Sequence, residues 1–372
     1  MPKISNRKNL CEPIVNALRK EWYGGSGDTE RYASVTQLLN PPKVVILNKR
    51  HKEEIEMDAS DSLAMLLGSS IHLIMERACE TESEFKLIAH IRDLFAELHE
   101  NPDNDVDSLN RRFKEWMQKV NVGELLKLTE EDRYISERRF KYTTKSGKVI
   151  SGGIDLFDKK ECSLQDFKLT SIWTWVYRNR EHSRTAEWTE QLNIYRLFLE
   201  QAGYNVDKLL INLLFRDYSK TNAKRDPSYP DEIETMELPL LGLDVVEQMI
   251  EDKVDELIRC DALPDDQIPH CNAHERWQKP NIWAVRKTVN KTAMRGGIKY
   301  SEYDAKNMVK DEIEKLAQVD INKGEIPEFA RAKHKDKFTI DIRRGEEVRC
   351  NSYCSVNKFC HYYRMLSNST KD

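Results

Sequence analysis

"SGGIDLFDKKECSLQDFKLT" occupies residues 151–170. It holds two acids, Asp155 and Asp166, with Lys168 two residues after the second, in a stretch that otherwise reads as strand. Strand parity sets Asp155 on the face opposite Ile154 and Leu156, and puts Asp166 and Lys168 on one shared face. If the two strands pair, Asp155, Asp166 and Lys168 converge. Two carboxylates at close range repel unless a cation sits between them, and an oxygen-rich donor set suits Mg²⁺ or Mn²⁺. A lysine beside a metal-bound water orients or deprotonates it, or stabilises developing phosphoryl charge. That is hydrolytic chemistry for phosphodiesters. On spacing alone, the same pattern also fits an exposed strand face with ordinary charges.

The flanking sequence supplies the setting. Upstream, "RYISERRFKYTTKSGKVISGGIDLFDKK" alternates and is rich in β-branched and aromatic residues, with "KSGK" at 145–148 as a hairpin turn. This predicts a three-strand meander ending in "CSLQDFKLT". Downstream, "AEWTEQLNIYRLFLEQAG" predicts a helix over 186–203 ended by Gly203, and "KLLINLLFRDY" predicts an apolar central strand. Before the meander, helices are expected at about 10–22, over 61–80, 83–98 and 107–128, with a chain break at "NPDND" (101–105). "SVTQLLNPP" reads as one capped helical turn stopped by prolines. After the apolar strand come helices over 242–260 and near 301–318 and a strand at 337–343. The order predicts a mixed α/β (α+β) fold. We divide it into a helical lead-in (1–60), a core (61–263) and a C-terminal region (264–372) packed on that core.

Gly-Ile-Asp ("GGID", 152–155), then Asp-x-Lys ("QDFK", 165–168), then Gln-x-x-x-Tyr ("QLNIY", 191–195) resembles the PD-(D/E)XK nuclease superfamily. The chain is similar in particular to the RecB-like branch, which includes CRISPR adaptation nucleases and many phage exonucleases. Two further elements agree in order. "LGSSIHLIME" (67–76) resembles that branch's helix histidine, at His72, and Glu137 in "ISERRF" matches the acid that often precedes the Gly-Ile-Asp strand. The resemblance covers about residues 60–215 and implies a restriction-endonuclease-like core of a mixed sheet flanked by helices. It implies Asp155, Asp166 and His72 as ligands of Mg²⁺ or Mn²⁺, with the carbonyl of Phe167 as another. It implies Lys168 as the catalytic lysine, with Gln191 and Tyr195, four apart on one helix face, positioning the lysine or the scissile phosphate. Glu137 also reads as a simple salt-bridge partner of Arg138 or Arg139.

The chain has eight cysteines, three of them clustered as Cys350-x3-Cys354-x5-Cys360. In a reducing compartment such clusters more often bind metal than form disulfides. RecB-like nucleases often hold an iron–sulfur cluster with three C-terminal cysteines and one distant cysteine. The resemblance therefore implies a [4Fe–4S] cluster here, although the first spacing is one residue longer than the commonest form and keeps Zn²⁺ as the alternative. Cys271 in "PHCNAHERW" is our preferred fourth ligand, with Cys11 the other candidate. Three free cysteines in a packed tail is the plain alternative.

The net charge of −4 gives no global sign of nucleic acid binding, but residues 277–301 carry Lys279, Arg286, Lys287, Lys291, Arg295 and Lys299 and no acid. This island reads either as a polyanion contact or as a solvated basic face. After the catalytic lysine, "TSIWTWVYRNREHSR" (170–184) alternates Trp173, Trp175 and Tyr177 and then carries Arg178, Arg180 and Arg184. Aromatics beside arginines suit single-stranded nucleic acid; a hydrophobic lid or strand extension with a basic edge is the alternative.

Of the 372 residues 39% are hydrophobic and 33% charged, and no apolar run approaches the roughly 18–20 residues of a membrane span. The N-terminal "MPKISNRKNLCEPIV" lacks the apolar core of a signal peptide. The expectation is a cytoplasmic, metal-dependent deoxyribonuclease, an exonuclease by preference, in phage-type replication, recombination or DNA degradation. If phage-encoded, it would work in the host cytoplasm. Its partner would be DNA, single-stranded or at ends, and not a membrane. The sequence holds no helicase motif, so unwinding would fall to a helicase or recombination partner. One alternative is a non-catalytic DNA-binding or regulatory factor on a nuclease scaffold; another is a redox-responsive protein acting through its cluster.

Overall fold

The computed structural model describes residues 3–19, 30–79, 96, 106–119, 133–180 and 183–369. The helix expected at 83–98 lies outside these residues but for residue 96, and so do the break at 101–105 and residues 120–128 of the third helix. The fold is α+β, with several mixed sheets flanked by helices. The chain divides into two compact units, Met1–Pro264 and Asp265–Asp372.

In the first unit, β1 (Lys3–Ser5) pairs in parallel with β3 (Glu56–Asp58), and α1 (Glu12–Arg19) buries Val15 and Leu18 beside Ala59. Between them lie β2 (Ala33–Ser34), α2 (Val35–Leu38) and α3 (Pro42–Arg50). Ser34 and Gln37 form a reciprocal capping box on α2, as the capped turn predicts. The prolines do more than stop it. Pro42 sits at the first turn of α3, where its missing N–H costs nothing, so the pair opens a helix that the sequence reading omits. Ala33, Val35 and Leu38 belong to the main core, so this stretch is no separate lead-in. Helix α4 (Leu63–Cys79) carries His72, and α5 (Val106–Lys119) follows.

The expected meander is five strands shared between two sheets: β4 (Tyr134–Ser136), β5 (Arg139–Thr143), β6 (Val149–Gly153), β7 (Leu156–Asp158) and β8 (Ser163–Thr170). β5 and β6 pair through the turn containing Gly147, whose φ of +73° suits glycine. β4 pairs with β7 in the same register, Tyr134 opposite Asp158 and Arg139 opposite Gly153. The two pairs are therefore one long hairpin that bends and changes sheets halfway. At the bend, Glu137 N–H donates to the Asp155 carbonyl (3.2 Å) and Ile154 N–H to the Arg138 carbonyl (3.0 Å). Glu137 is left-handed there, at φ +47°. Asp155 is thus not inside a strand, as parity assumes, but at this bend.

β8 is central in the sheet ordered β10–β9–β8–β7–β4. After it, α6 (Ile172–Val176) corrects the expected alternation, because Trp173, Trp175 and Tyr177 lie on a short helix and its C-terminal end, not on an extended segment. Helix α7 (Arg184–Gln201) then crosses to β9 (Lys208–Phe215), which pairs in parallel with β8. Residues on all sides of α7 are buried, including Trp188, Leu192, Ile194 and Phe198, so this is a central helix and not a surface one. Buried Asn193 is satisfied by the carbonyls of Thr189 and Pro239 and the N–H of Leu241. α8 (Lys220–Arg225), the edge strand β10 (Ile233–Leu238) and α9 (Leu243–Asp261) complete the unit, α9 closing the core with Val246, Ile250 and Val254.

The second unit has a sheet of β11 (Ile282–Lys287), β12 (Ile298–Lys299) and β13 (Phe338–Arg343), with β11 in the middle. Helices α10 (Glu302–Ile321), α11 (Pro327–His334), α12 (Val348–Ser352) and α13 (His361–Ser369) accompany it. Among the described residues no helix is long and apolar enough to cross a membrane.

Gly152 shows how tightly the first unit is built. A Cβ at this position would overlap Cε1 of Tyr195 and stand 2.9 Å from Cγ2 of Val35, whereas the nearest atom to one at Gly153 is Arg139 Nη2, at 3.9 Å. Overpacking costs about 1–3 kcal/mol, and each kcal/mol shifts the melting temperature of a unit this size by about 2–4 °C. Gly152→Ala should therefore lower Tm by several degrees and Gly153→Ala should leave it nearly unchanged, as read by thermal unfolding.

Candidate active site

A cavity of about 470 Å³ opens in the first unit, lined by seven of the site residues predicted from sequence and by several residues that were not. His72 comes from α4, Glu137 and Asp155 from the hairpin bend, Asp166 and Lys168 from β8, and Gln191 and Tyr195 from α7. Glu137 and Asp155 face each other across the bend. Like charges at opposed positions are destabilising unless something neutralises them. His72 does so here. Its Nδ1 lies 3.1 Å from Glu137 Oε1 and 3.4 Å from Asp155 Oδ1. Glu137 is therefore held by the histidine, and not by Arg138 or Arg139 in the salt bridge considered from sequence. His72, Glu137 and Asp155 each offer a ligand atom within 4.8 Å of the others, and among the described residues no other trio of His, Cys, Asp and Glu meets that spacing.

Asp166 is 3% exposed. Lys168 Nζ donates to its Oδ1 at 2.9 Å and stands 2.7 Å from Oδ2. The second approach is off the hydrogen-bonding direction, and Oδ2 has no hydrogen-bond partner. The other oxygen of Asp155, Oδ2, accepts from the N–H of Phe167 at 2.9 Å. In an extended strand the N–H and C=O of one residue lie on the same edge, so the Phe167 carbonyl is on the edge toward Asp155, as a ligand carbonyl there would need. Gln191 Nε2 donates to Tyr195 Oη at 3.2 Å, one helical turn apart.

The electrostatics follow from this crowding. Burial first, then the neighbouring Asp166, pushes Asp155 up to about 7 despite His72, Lys168 and the Phe167 N–H. Burial pulls His72 down, but hydrogen bonding to Glu137 and the charge of Asp155 outweigh it and leave the imidazole more basic than usual. Lys168 is likewise pulled down by burial and raised overall by Asp166 and Asp155. Burial pushes Tyr195 up to about 12, so it stays a neutral donor. Three carboxylates, one with an unsatisfied oxygen, and a histidine form a donor set that fits a hard divalent cation such as Mn²⁺ or Mg²⁺.

Sequence reading missed Arg31 and Arg139, which line the same cavity. Arg139 makes a long 3.4 Å contact to Ser151 Oγ, and among the described residues no carboxylate is paired with either guanidinium. No motif marks them, and only the meeting of β2, β5 and β6 puts them at the site. Of the other predicted contacts in this unit, Arg178 lies 4.0 Å over the Trp175 ring and donates to the Trp175 carbonyl, Arg180 is exposed, and Arg184 opens α7.

In the second unit the basic island is partly spent on structure. Arg286 donates to Asp341 at 2.5 Å across β11 and β13 and to the carbonyls of Thr288 and Asn290, and Lys279 pairs with Glu346. Lys287, Lys291 and Arg295 are exposed. The Cys271 segment packs against the segment that carries the C-terminal cysteines, but among the described residues no three of these thiols come within 4.8 Å of one another. Arg349 N–H donates to the Arg276 carbonyl, Arg276 Nε stands 3.4 Å from Glu347, and Trp277 packs on Tyr353. Burial pushes the Cys271 thiol up to about 12, with Glu275, Cys360 and Cys350 adding to it. Burial likewise lifts Cys350 to about 11, and Cys354 and Cys360 contribute. Cys11 lies in the first unit and is exposed.

The signs of the Asp155 and His72 shifts set a pH dependence. Both groups bind protons more tightly folded than unfolded, so the metal-free fold loses stability as pH rises from about 4 through about 7. A metal ion must displace both protons. The Tm increase produced by Mn²⁺ should accordingly be larger at pH 8 than at pH 6 and should vanish in Asp155→Asn. An equal increase at both pH values would remove these groups as ligands.

No family model and no curated protein matches the sequence. Among solved structures, one described as "Crystal structure of SSO0001" is similar over 65% of this chain and 81% of that chain, at 14% identity and a TM-score of 0.34. A likeness at that score assigns neither fold nor function.

Proposed function

We propose that the first unit is a metal-dependent nuclease of the PD-(D/E)XK type that hydrolyses DNA phosphodiesters. The observation that carries this reading is the meeting, in one cavity, of His72, Glu137, Asp155, Asp166 and Lys168. Mg²⁺ or Mn²⁺ bound there would act as a Lewis acid and lower the pKa of water. His72, Glu137, Asp155, Asp166 and the Phe167 carbonyl would hold the ion. Lys168 is held as an ammonium in the metal-free protein, so its role is to donate to a phosphate oxygen and stabilise charge there, rather than to take a proton from water. Gln191 and Tyr195 keep Lys168 and the phosphate in place. Arg31 and Arg139 offer positive charge to the strand's phosphates. Water adds at phosphorus and gives up a proton to solvent, one P–O bond breaks, and the leaving oxygen takes up a proton from solvent.

Exonuclease action and a phage-type role in replication, recombination or degradation, in the cytoplasm and with a helicase or recombination partner, rest on the family resemblance. We also propose that Cys271, Cys350, Cys354 and Cys360 hold a [4Fe–4S] cluster, with Zn²⁺ as the alternative. The Cys350-x3-Cys354-x5-Cys360 spacing and the packing of the Cys271 segment against the segment that carries these three support that reading. Metal analysis of anaerobically purified protein separates the cases: iron with sulfide for the cluster, zinc for the mononuclear site, neither for free thiols.

The decisive assay uses end-labelled single- and double-stranded DNA with Mg²⁺, Mn²⁺ or EDTA. Cleavage should require metal and fall by at least about a hundredfold in Lys168→Ala, as for loss of an electrostatic stabiliser. Persistent DNA binding without cleavage by folded, metal-loaded protein would favour the non-catalytic binding factor.

A further inference from the structure

We infer that Trp173 is a stacking platform for an unpaired base, which makes single-stranded DNA the substrate class of this site. The inference rests on the nuclease reading for the identity of the ligand, and on the geometry of α6 for the platform. Thr170 shares a strand face with Asp166 and Lys168, since side chains repeat every two residues. Its hydroxyl bonds Thr174 of α6 at 2.8 Å. The helix therefore folds back on the side of the sheet that carries the active groups. Its start is pinned there. Ser171 Oγ donates to Asp217 Oδ2 at 2.6 Å, and the Ile172 N–H donates to Asp217 Oδ1 at 2.8 Å.

The aromatics sort by helical position. Ile172 and Trp175 face inward, Ile172 buried and Trp175 packed against the main core. Trp173 and Tyr177 face outward, 57% and 38% exposed, with rings stacked at 5.6 Å and 20° between planes. Tyr177 is also covered by Arg180, whose guanidinium lies 3.8 Å from its centroid. The ring left open is Trp173. A rigid, exposed indole next to an exposed arginine matches what a single strand offers: a free π-face and a phosphate. A duplex offers the phosphate but keeps its bases stacked on one another. Trp173 is five residues from Lys168, so the platform lies at most about 18 Å along the chain from the catalytic lysine, a reach of a few nucleotides.

Fluorescence anisotropy with a labelled oligothymidylate and a labelled blunt duplex, in EDTA to stop hydrolysis, tests this on the full chain. Trp173→Ala should weaken oligothymidylate binding about tenfold and leave duplex binding within about twofold. Trp173→Phe should recover most of the loss, because a ring remains. Equal loss on both ligands, or no loss on either, would overturn the inference. Wild-type melting behaviour with Mn²⁺ in the Ala variant checks that the site is intact. The two readings fail separately. A chain that cleaves DNA but binds oligothymidylate equally with and without Trp173 keeps the nuclease and loses the platform. One whose oligothymidylate binding needs Trp173, yet never cleaves with metal, keeps the platform and loses the nuclease.

Discussion

Glu137 and Asp155 are held opposite one another, both close to His72 and in the same cavity as buried Asp166. Like charges brought out of water repel strongly and raise their proton affinity, and much of the surrounding structure serves to keep them there. The hairpin must bend at this point for the two carboxylates to leave their sheets and face the cavity. The left-handed backbone of Glu137 makes that bend, at an energetic cost that structures accept at functional positions. His72 then supplies the local counter-charge from a helix that is remote in sequence. Lys168 plays the same part for Asp166 from two residues along β8.

The remaining contacts keep the site rigid. β8 is paired with β9 along its whole length, Asp166 opposite Ile211 and Lys168 opposite Leu213, so both residues have little freedom. α7 is buried all round, and Tyr195 lies against Gly152, where any side chain would push it away. Packing of this kind holds the charged groups in a preorganised arrangement. The outward aromatics of α6 stand on the same face of the sheet, anchored by Asp217, so a strand laid on Trp173 would approach Lys168 from a fixed direction.

Local patterns carried much of the fold into view. The helical run of α7 closed by Gly203, the apolar run of β9 and the capped turn at Ser34–Gln37 are properties of neighbouring residues, and each is legible without tertiary contacts. Where tertiary packing decides, the reading slipped. Trp173, Trp175 and Tyr177 alternate, but Ser171 caps a helix there and Asp217, distant in sequence, pins it. The meander proved to be two sheets because a hairpin of constant register can still bend, and nothing in the residue alternation marks the bend.

By itself, the sequence determined which residues could do the chemistry: two aspartates, a lysine, a helix histidine and a Gln–Tyr pair at helical spacing. Spacing along one element sets which side chains share a face, and that needs no fold. Only the tertiary structure decided that Glu137 pairs with His72 and not with an adjacent arginine, that Arg31 and Arg139 join the cavity, that Arg286 is committed to Asp341, and that Arg276 packs against Glu347. The paired residues here lie from 55 to 71 positions apart in the chain. The physical reason is that electrostatic partners are chosen by distance in space, which chain separation does not encode.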